Sequence, residues 1–156
     1  MTIRFEALAT ETCDTIWQGG HDAYDMVPER RISDGDGVPC RHCLRIIAAG
    51  TPYLVLAHCP FPALQPYAET GPIFLHERAC QRYLADGDLP QVLQDSPDFI
   101  LRGYDDEHRI VYGTGRVIPT PHITARAAEL LSRDDIAYVH VRSARNNCYQ
   151  CRIVRD

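Results

Sequence analysis

The chain has 156 residues, of which 45% are hydrophobic and 24% charged, a balance typical of a globular protein with one hydrophobic core. Its formal net charge of −5 argues against general nucleic-acid binding, which depends on neutralising phosphates with basic side chains. All 16 basic residues are Arg, so a phosphate-loop lysine and a Schiff-base lysine are both excluded. We expect a single domain over residues 1–156.

The N-terminal residues 1–6 lack the basic region and apolar core of a secretory signal, and no apolar run approaches the roughly 20 residues of a membrane helix. We therefore expect a cytoplasmic protein without membrane contact. In that reducing compartment, the 7 cysteines are expected to bind metal or to be buried rather than to form structural disulfides.

Hydrophobic periodicity predicts a succession of short elements in the first half of the chain. They are a strand over 3–8, a helix from Thr10 to the Gly19-Gly20 stop, a loop over 21–38, strands over 53–58 and 72–75, and a helix over 76–84. A short helical turn over 90–95 ends this half.

The second half shows a clearer pattern of hairpins. Strands are predicted over 99–104, 109–118, 136–141 and 149–154, with an amphipathic helix after Thr124 that carries Ala127, Ala128, Leu130 and Leu131 on its inner side. Hairpins with few and short helices indicate an α+β fold built on a mostly antiparallel sheet.

Two close pairs of metal-ligand residues lie in the first half. Cys40 and Cys43 form a Cys-x2-Cys pair, and His76 and Cys80 follow after a 32-residue spacer. Thiolate and imidazole donors in two close pairs are typical of tetrahedral zinc. If His76 begins a helix, His76 and Cys80 share one face, and the fold would contain a treble-clef-like zinc subsite.

Two alternatives to this zinc site remain open. A mixed site could use Cys40, Cys43, Cys148 and Cys151, although residues three apart on a strand point to opposite faces. In the other, Cys43 and Cys80 are simply buried, Cys40 lies near the surface, and His76 bonds to a backbone carbonyl.

The tip of the last hairpin suggests a second kind of site. The side chains that could grip a carboxylate or phosphate are Arg142, Arg145, Asn146 and Asn147, with Arg102 and Tyr104 on a neighbouring strand. Arg offers paired donors to such anions, but the same residue types also suit a solvated turn. A Cys nucleophile with His58, His76 or His140 as its base is a further hypothesis.

Four segments carry a resemblance to a known family. They are Pro39-Cys-Arg-His-Cys-Leu-Arg45, Tyr67-Ala-Glu-Thr-Gly-Pro-Ile-Phe-Leu-His76, Arg102-Gly-Tyr104, and Val139-His-Val-Arg-Ser-Ala-Arg-Asn-Asn-Cys148. Across most of its length the chain resembles a family of small bacterial proteins described only as a domain of unknown function, the one numbered 1203. The resemblance implies no particular activity.

The sequence favours a small cytoplasmic binding module with a structural zinc site. Such a module would recognise a protein partner or an anionic small molecule. The alternative is an enzyme acting on small substrates, either zinc-dependent or using a Cys nucleophile. A catalytic zinc keeps one position for water, whereas a structural zinc has four protein ligands.

Overall fold

A computed structural model describes residues 1–85 and 88–156. Its strands and α-helices are β1 (Ile3–Glu6), α1 (Thr10–Trp17), β2 (Glu29–Ile32), β3 (Pro52–His58), β4 (Gly71–His76), β5 (Asp98–Tyr104), β6 (Arg116–Pro119), α2 (Ile123–Leu131), β7 (Tyr138–Ser143) and β8 (Tyr149–Arg155). Single-turn 3-10 helices lie at Gln91–Leu93 and Thr120–His122. The predicted α+β fold is confirmed.

The larger sheet is antiparallel and has five strands in the order β1-β8-β7-β5-β6. Side chains alternate across each strand, so one face of β5 and β7 is apolar and carries Phe99, Leu101, Val139 and Val141. The buried side of α2, with Ala127 among its residues, packs on this face and completes the main core.

The opposite face of the same sheet is aromatic and basic. Arg102 lies opposite His140 in the β5–β7 register, and Tyr104 lies opposite Tyr138. Phe61, from the segment between β3 and β4, packs against the rings of Tyr104 and His140. The segment that follows β3 therefore covers this face of the sheet.

A smaller sheet of three antiparallel strands has the order β2-β3-β4. Its apolar residues Leu56, Ile73 and Leu75 are buried in a second cluster together with Cys13 and Ile16 of α1. The strand β2 lies within residues 21–38, where the sequence predicts only loop; all four of its residues are exposed, so no apolar alternation marks it.

The helix expected over 76–84 is wrong. His76 ends β4, and residues 77–85 contain no helix. The guanidinium of Arg82 donates to the carbonyl oxygens of Ala7 and Leu8, and the Tyr83 amide donates to the carbonyl of His42. These tertiary hydrogen bonds hold the segment in an irregular path in place of the local helical pattern.

The strand predicted over 109–118 is shorter than expected, because β6 covers only Arg116–Pro119. Gly113 has φ +87°, a left-handed conformation that breaks a strand. The Thr114 hydroxyl then accepts the amide hydrogen of Gly103 at 3.0 Å, so the turn is anchored on β5.

No helix in the described residues is both long and apolar enough to cross a bilayer.

Candidate metal centre

A tight loop from Cys40 to Cys43 forms the first half of the site. The Cys40 amide donates to the carbonyl of Arg45, and the Leu44 amide donates to the carbonyl of Cys40, both at 3.0 Å. The Arg41 amide donates to the carbonyl of Phe74 at 3.1 Å, which fixes the loop beside β4. The loop is therefore placed close to His76, the last residue of that strand.

The loop closes through an unusual backbone conformation at Leu44. Its φ of 53° lies in the left-handed region, which bulky side chains rarely adopt. The side chain is almost fully buried in the main core, and the Leu44 carbonyl accepts the Val92 amide at 3.2 Å. Core packing thus holds a strained turn next to the ligands, as is common at ligand-binding positions.

The structure brings together all four residues of the predicted zinc site. One ligand atom from each of Cys40, Cys43, His76 and Cys80 lies within 4.8 Å of all the others. Cys40 Sγ lies 3.8 Å from Cys80 Sγ, and Cys43 Sγ lies 3.7 Å from His76 Nδ1. Ligand atoms around a tetrahedral zinc are separated by about 3.6 to 3.8 Å, given the usual Zn–S and Zn–N bond lengths. The cluster could hold a metal ion.

The second pair of ligands reaches the site without the predicted helix. His76 is held at the end of β4, where its carbonyl accepts the indole N–H of Trp17 at 2.9 Å. Cys80 follows on the irregular segment anchored by Arg82. The loop of Cys40 and Cys43 is followed by the β3–β4 hairpin, but the helix of a treble clef is not formed.

Hydrogen bonds within the cluster favour negative charge on one sulfur. The pKa of Cys40 is lowered, because the thiols of Cys43 and Cys80 donate to its thiolate. The same contact raises the pKa of Cys43 to about 11, and the interaction with Cys40 raises the pKa of His76. The backbone amides of Cys43 and Arg45 also stabilise the sulfurs of Cys40 and Cys43 respectively. The backbone amides of the loop thus donate hydrogen bonds that would stabilise thiolates at Cys40 and Cys43.

His42 adds a contact from outside the four ligands. Its Nδ1 lies 3.3 Å from Cys80 Sγ, and its Nε2 lies 2.9 Å from the hydroxyl of Thr10. Burial lowers the pKa of His42, which favours the neutral ring. We did not single out His42 from the sequence, although its position between Cys40 and Cys43 is the signal that could have identified it.

Arg41 lies in the same loop and is 2% exposed. Its guanidinium donates to the carbonyl oxygens of Tyr149 at 2.7 Å and Pro39 at 2.6 Å. Burial lowers its pKa to about 10, so it remains charged at neutral pH. No carboxylate of the described chain forms an ion pair with it.

The mixed site of four cysteines is not assembled. Cys151 is fully buried in the main core, and the Cys148 thiol points to the carbonyl of Asn146 at 3.7 Å. Burial raises the pKa of Cys13 and Cys151 to about 12, which keeps both as neutral thiols. Within residues 1–85 and 88–156, the cluster of Cys40, Cys43, His76 and Cys80 is the one with metal-ligand geometry.

The residues predicted to bind an anion are only partly brought together. Glu69 pairs with Arg102 at 2.8 Å and with Arg142 at 3.3 Å. The Tyr104 hydroxyl accepts a hydrogen bond from Arg102 at 2.9 Å, but the Tyr104 side chain is fully buried among aromatic rings. Asn146 and Asn147 line a cavity with Arg142, whereas Arg145 pairs with Asp98 outside it.

The histidines considered as bases for a Cys nucleophile have different surroundings. His140 is fully buried against the rings of Phe61, Tyr104, Tyr138 and Tyr149. His58 lies at the end of β3 and contacts the ring of Tyr149. In the described residues, the close Cys–His contacts are those of the metal cluster, Cys43 with His76 and Cys80 with His42.

The chain belongs to the family described as a protein of unknown function, DUF1203, whose model matches residues 37–155. The matched region contains the four clustered residues and the C-terminal hairpin. No curated protein and no solved structure matches the chain.

Proposed function

We propose that this DUF1203 protein is a zinc-binding module in which Cys40, Cys43, His76 and Cys80 hold a structural zinc ion. The observation that carries the proposal is the convergence of four ligand atoms within 4.8 Å of one another. Three thiolates and one imidazole in a tetrahedral arrangement are the donor set of structural zinc sites. Zinc would join the Cys40–Cys43 loop, the end of β4 and the irregular segment after it.

The buried charge of Arg41 supports this assignment. Three thiolates and one divalent cation leave one net negative charge at the centre. Arg41 follows the first ligand directly in the chain, is almost fully buried, and has no carboxylate partner in the described region. A buried cation without a counter-ion is costly, and negative charge on Cys40 would stabilise it, so a negatively charged metal centre supports its presence.

A structural role is favoured over catalysis because four protein ligands leave no position for a water molecule. The cluster does border a groove of about 900 Å³ lined by Cys43, His76 and Cys80, which gives the enzyme alternative an observation of its own. X-ray absorption spectroscopy of the zinc-loaded protein decides between the two. Three sulfurs and one nitrogen support the structural role, whereas three protein ligands and one oxygen support a catalytic zinc.

A centre made of three thiolates is stable where disulfides are kept reduced, so the proposed zinc site fits a reducing location. We therefore propose that the protein acts in the cytoplasm as a binding module, with zinc fixing its shape.

The test is the metal content of protein purified without a polyhistidine tag. Elemental mass spectrometry should find stoichiometric zinc in the wild type. Cys80→Ser removes a ligand and should weaken zinc affinity by at least about tenfold in competition with a chelator. Cys59→Ser is the matched control, because Cys59 is also partly exposed but lies outside the cluster. Wild-type protein without metal, or equal zinc affinity in all three proteins, would overturn the proposal.

A further inference from the structure

A small cavity lies between the segment after β3 and the tip of the β7–β8 hairpin. Its volume is about 210 Å³, and its polar lining includes His58, Glu69, Arg142, Asn146, Asn147 and Tyr149. Drug-sized ligands occupy pockets of about 300 to 1,000 Å³. The space is therefore suited to a molecule of only a few carbon atoms.

Arg142, which lines this cavity, lies at an irregularity in the sheet. Val141 pairs with Cys151, but Arg142 pairs with Tyr149, so a β-bulge places an extra residue, Gln150, in β8. Such bulges change the direction of side chains and often occur next to binding sites. Here the bulge accompanies the change from the continuous sheet to the hairpin tip that carries Asn146 and Asn147.

The guanidinium of Arg142 is only partly satisfied by the protein. It is 4% exposed, and its Nη1 donates to the Asn147 carbonyl at 3.2 Å and lies 3.3 Å from Glu69. Its Nε and Nη2 are buried without an acceptor in the described chain. Because buried donors without acceptors are rare and costly, this arginine has the capacity for a further acceptor group.

The charges around the cavity do not balance. Arg102 and Arg142 share the single carboxylate of Glu69. His58 adds no charge at neutral pH, since burial lowers its pKa to about 4, and burial raises the pKa of Tyr149, which keeps its hydroxyl neutral. Two arginines and one carboxylate therefore carry one net positive charge, and of these groups Arg142 and Glu69 line the cavity.

We propose that the cavity binds the carboxylate of a small monoanionic molecule, which supplies the missing negative charge to Arg142. The side-chain amides of Asn146 and Asn147 offer additional donors at the mouth. Glu69 already shows that the two arginines accept a carboxylate in this geometry, and a second one completes the charge balance. The proposal does not depend on zinc, because none of the four metal ligands lines the cavity.

The test is a titration of the isotope-labelled full chain with acetate, lactate, succinate and inorganic phosphate at low ionic strength, followed by amide chemical shifts. Acetate or lactate should produce saturable shifts at Asn147 and Cys148. Arg142→Gln should weaken this binding by at least about tenfold. Arg145→Ala is the matched control, because this exposed arginine lies on the same hairpin but pairs with Asp98 and does not line the cavity.

A second variant separates lost binding from lost folding. Glu69→Gln removes the internal carboxylate and leaves two positive charges without partners, so it should bind succinate or phosphate at least about tenfold more tightly than the wild type does. Misfolding cannot produce such a gain. The absence of saturable shifts, equal losses in Arg142→Gln and Arg145→Ala, or tighter wild-type binding of phosphate than of acetate and lactate would overturn the proposal.

Discussion

The imidazole of His42 lies between the sulfur of Cys80 and the first residue of α1, Thr10. Its Nδ1 is 3.3 Å from the sulfur of Cys80, and its Nε2 is 2.9 Å from the hydroxyl of Thr10, the first residue of α1. A neutral imidazole has one donor and one acceptor, so a ring that donates to a thiolate accepts the hydrogen of the hydroxyl. The Thr10 hydroxyl can donate or accept, so it is compatible with the His42 tautomer that donates to Cys80 and holds the ring in place from the other side.

Replacing His42 should weaken the metal site without removing a ligand. Groups that hydrogen-bond to ligands typically account for about 10- to 100-fold in metal affinity, so we expect a loss in this range for His42→Ala in a chelator competition. Thr10→Val removes the hydrogen bond to Nε2 but keeps the imidazole, so it should cause a smaller loss of metal affinity. Unchanged affinity in His42→Ala would show that the Cys80 contact has no role in metal binding.

Removing zinc should destabilise the protein and loosen one region in particular. Because the proposed zinc would bind only the folded state, a chelator should lower the midpoint of urea unfolding. Hydrogen exchange should increase first at residues 40–43 and 77–85, which carry three of the four clustered side chains and lie outside the regular helices and strands. The same chelator should leave the midpoint of Cys80→Ser unchanged, and an equal shift in both proteins would argue against this site.

Elements with strong local patterns were predictable from the sequence. The apolar alternation of β5 and the amphipathic pattern of α2 led to correct assignments because the same residues form the main core. The sequence also predicted that Cys40, Cys43, His76 and Cys80 lie together, since thiol and imidazole pairs at short spacing carry a chemical signal that does not depend on the fold around them.

Features determined by distant contacts were not predictable. The path of residues 77–85 depends on hydrogen bonds from Arg82 to the carbonyls of Ala7 and Leu8, which no local pattern reveals. The pairing of Glu69 with Arg102 and Arg142 likewise joins three separate parts of the chain. The sequence therefore indicated candidate donors for an anion, but not the internal carboxylate that two of them already bind.

The charge of Arg41 should matter for zinc affinity. Arg41→Met removes the buried cation next to a centre with net negative charge, so we expect zinc affinity to fall by about tenfold or more. Arg41→Lys keeps the charge but loses the paired donors to Tyr149 and Pro39. It should retain more zinc affinity than Arg41→Met. Equal affinity in wild type and Arg41→Met would contradict the role of Arg41 as the counter-ion.

His140 should make the stability of the protein sensitive to acid. Burial among aromatic rings holds its pKa well below the ordinary value, and neither ring nitrogen has a hydrogen-bond partner in the described chain. The unfolded chain therefore binds a proton below about pH 6.5 that the folded chain does not. The free energy of unfolding falls as pH decreases from that point, by up to about 1.4 kcal/mol per pH unit.

Replacing His140 by Phe tests whether His140 lowers the free energy of unfolding as the pH decreases. The ring fits among the same aromatic neighbours and cannot be protonated, so His140→Phe should lose less stability than the wild type between about pH 7.5 and pH 5. Urea unfolding of both proteins over this range gives the comparison. Acid-induced loss of zinc affects both proteins alike, so the difference between the two curves isolates His140. Parallel curves would show that His140 does not contribute to the acid sensitivity of the fold.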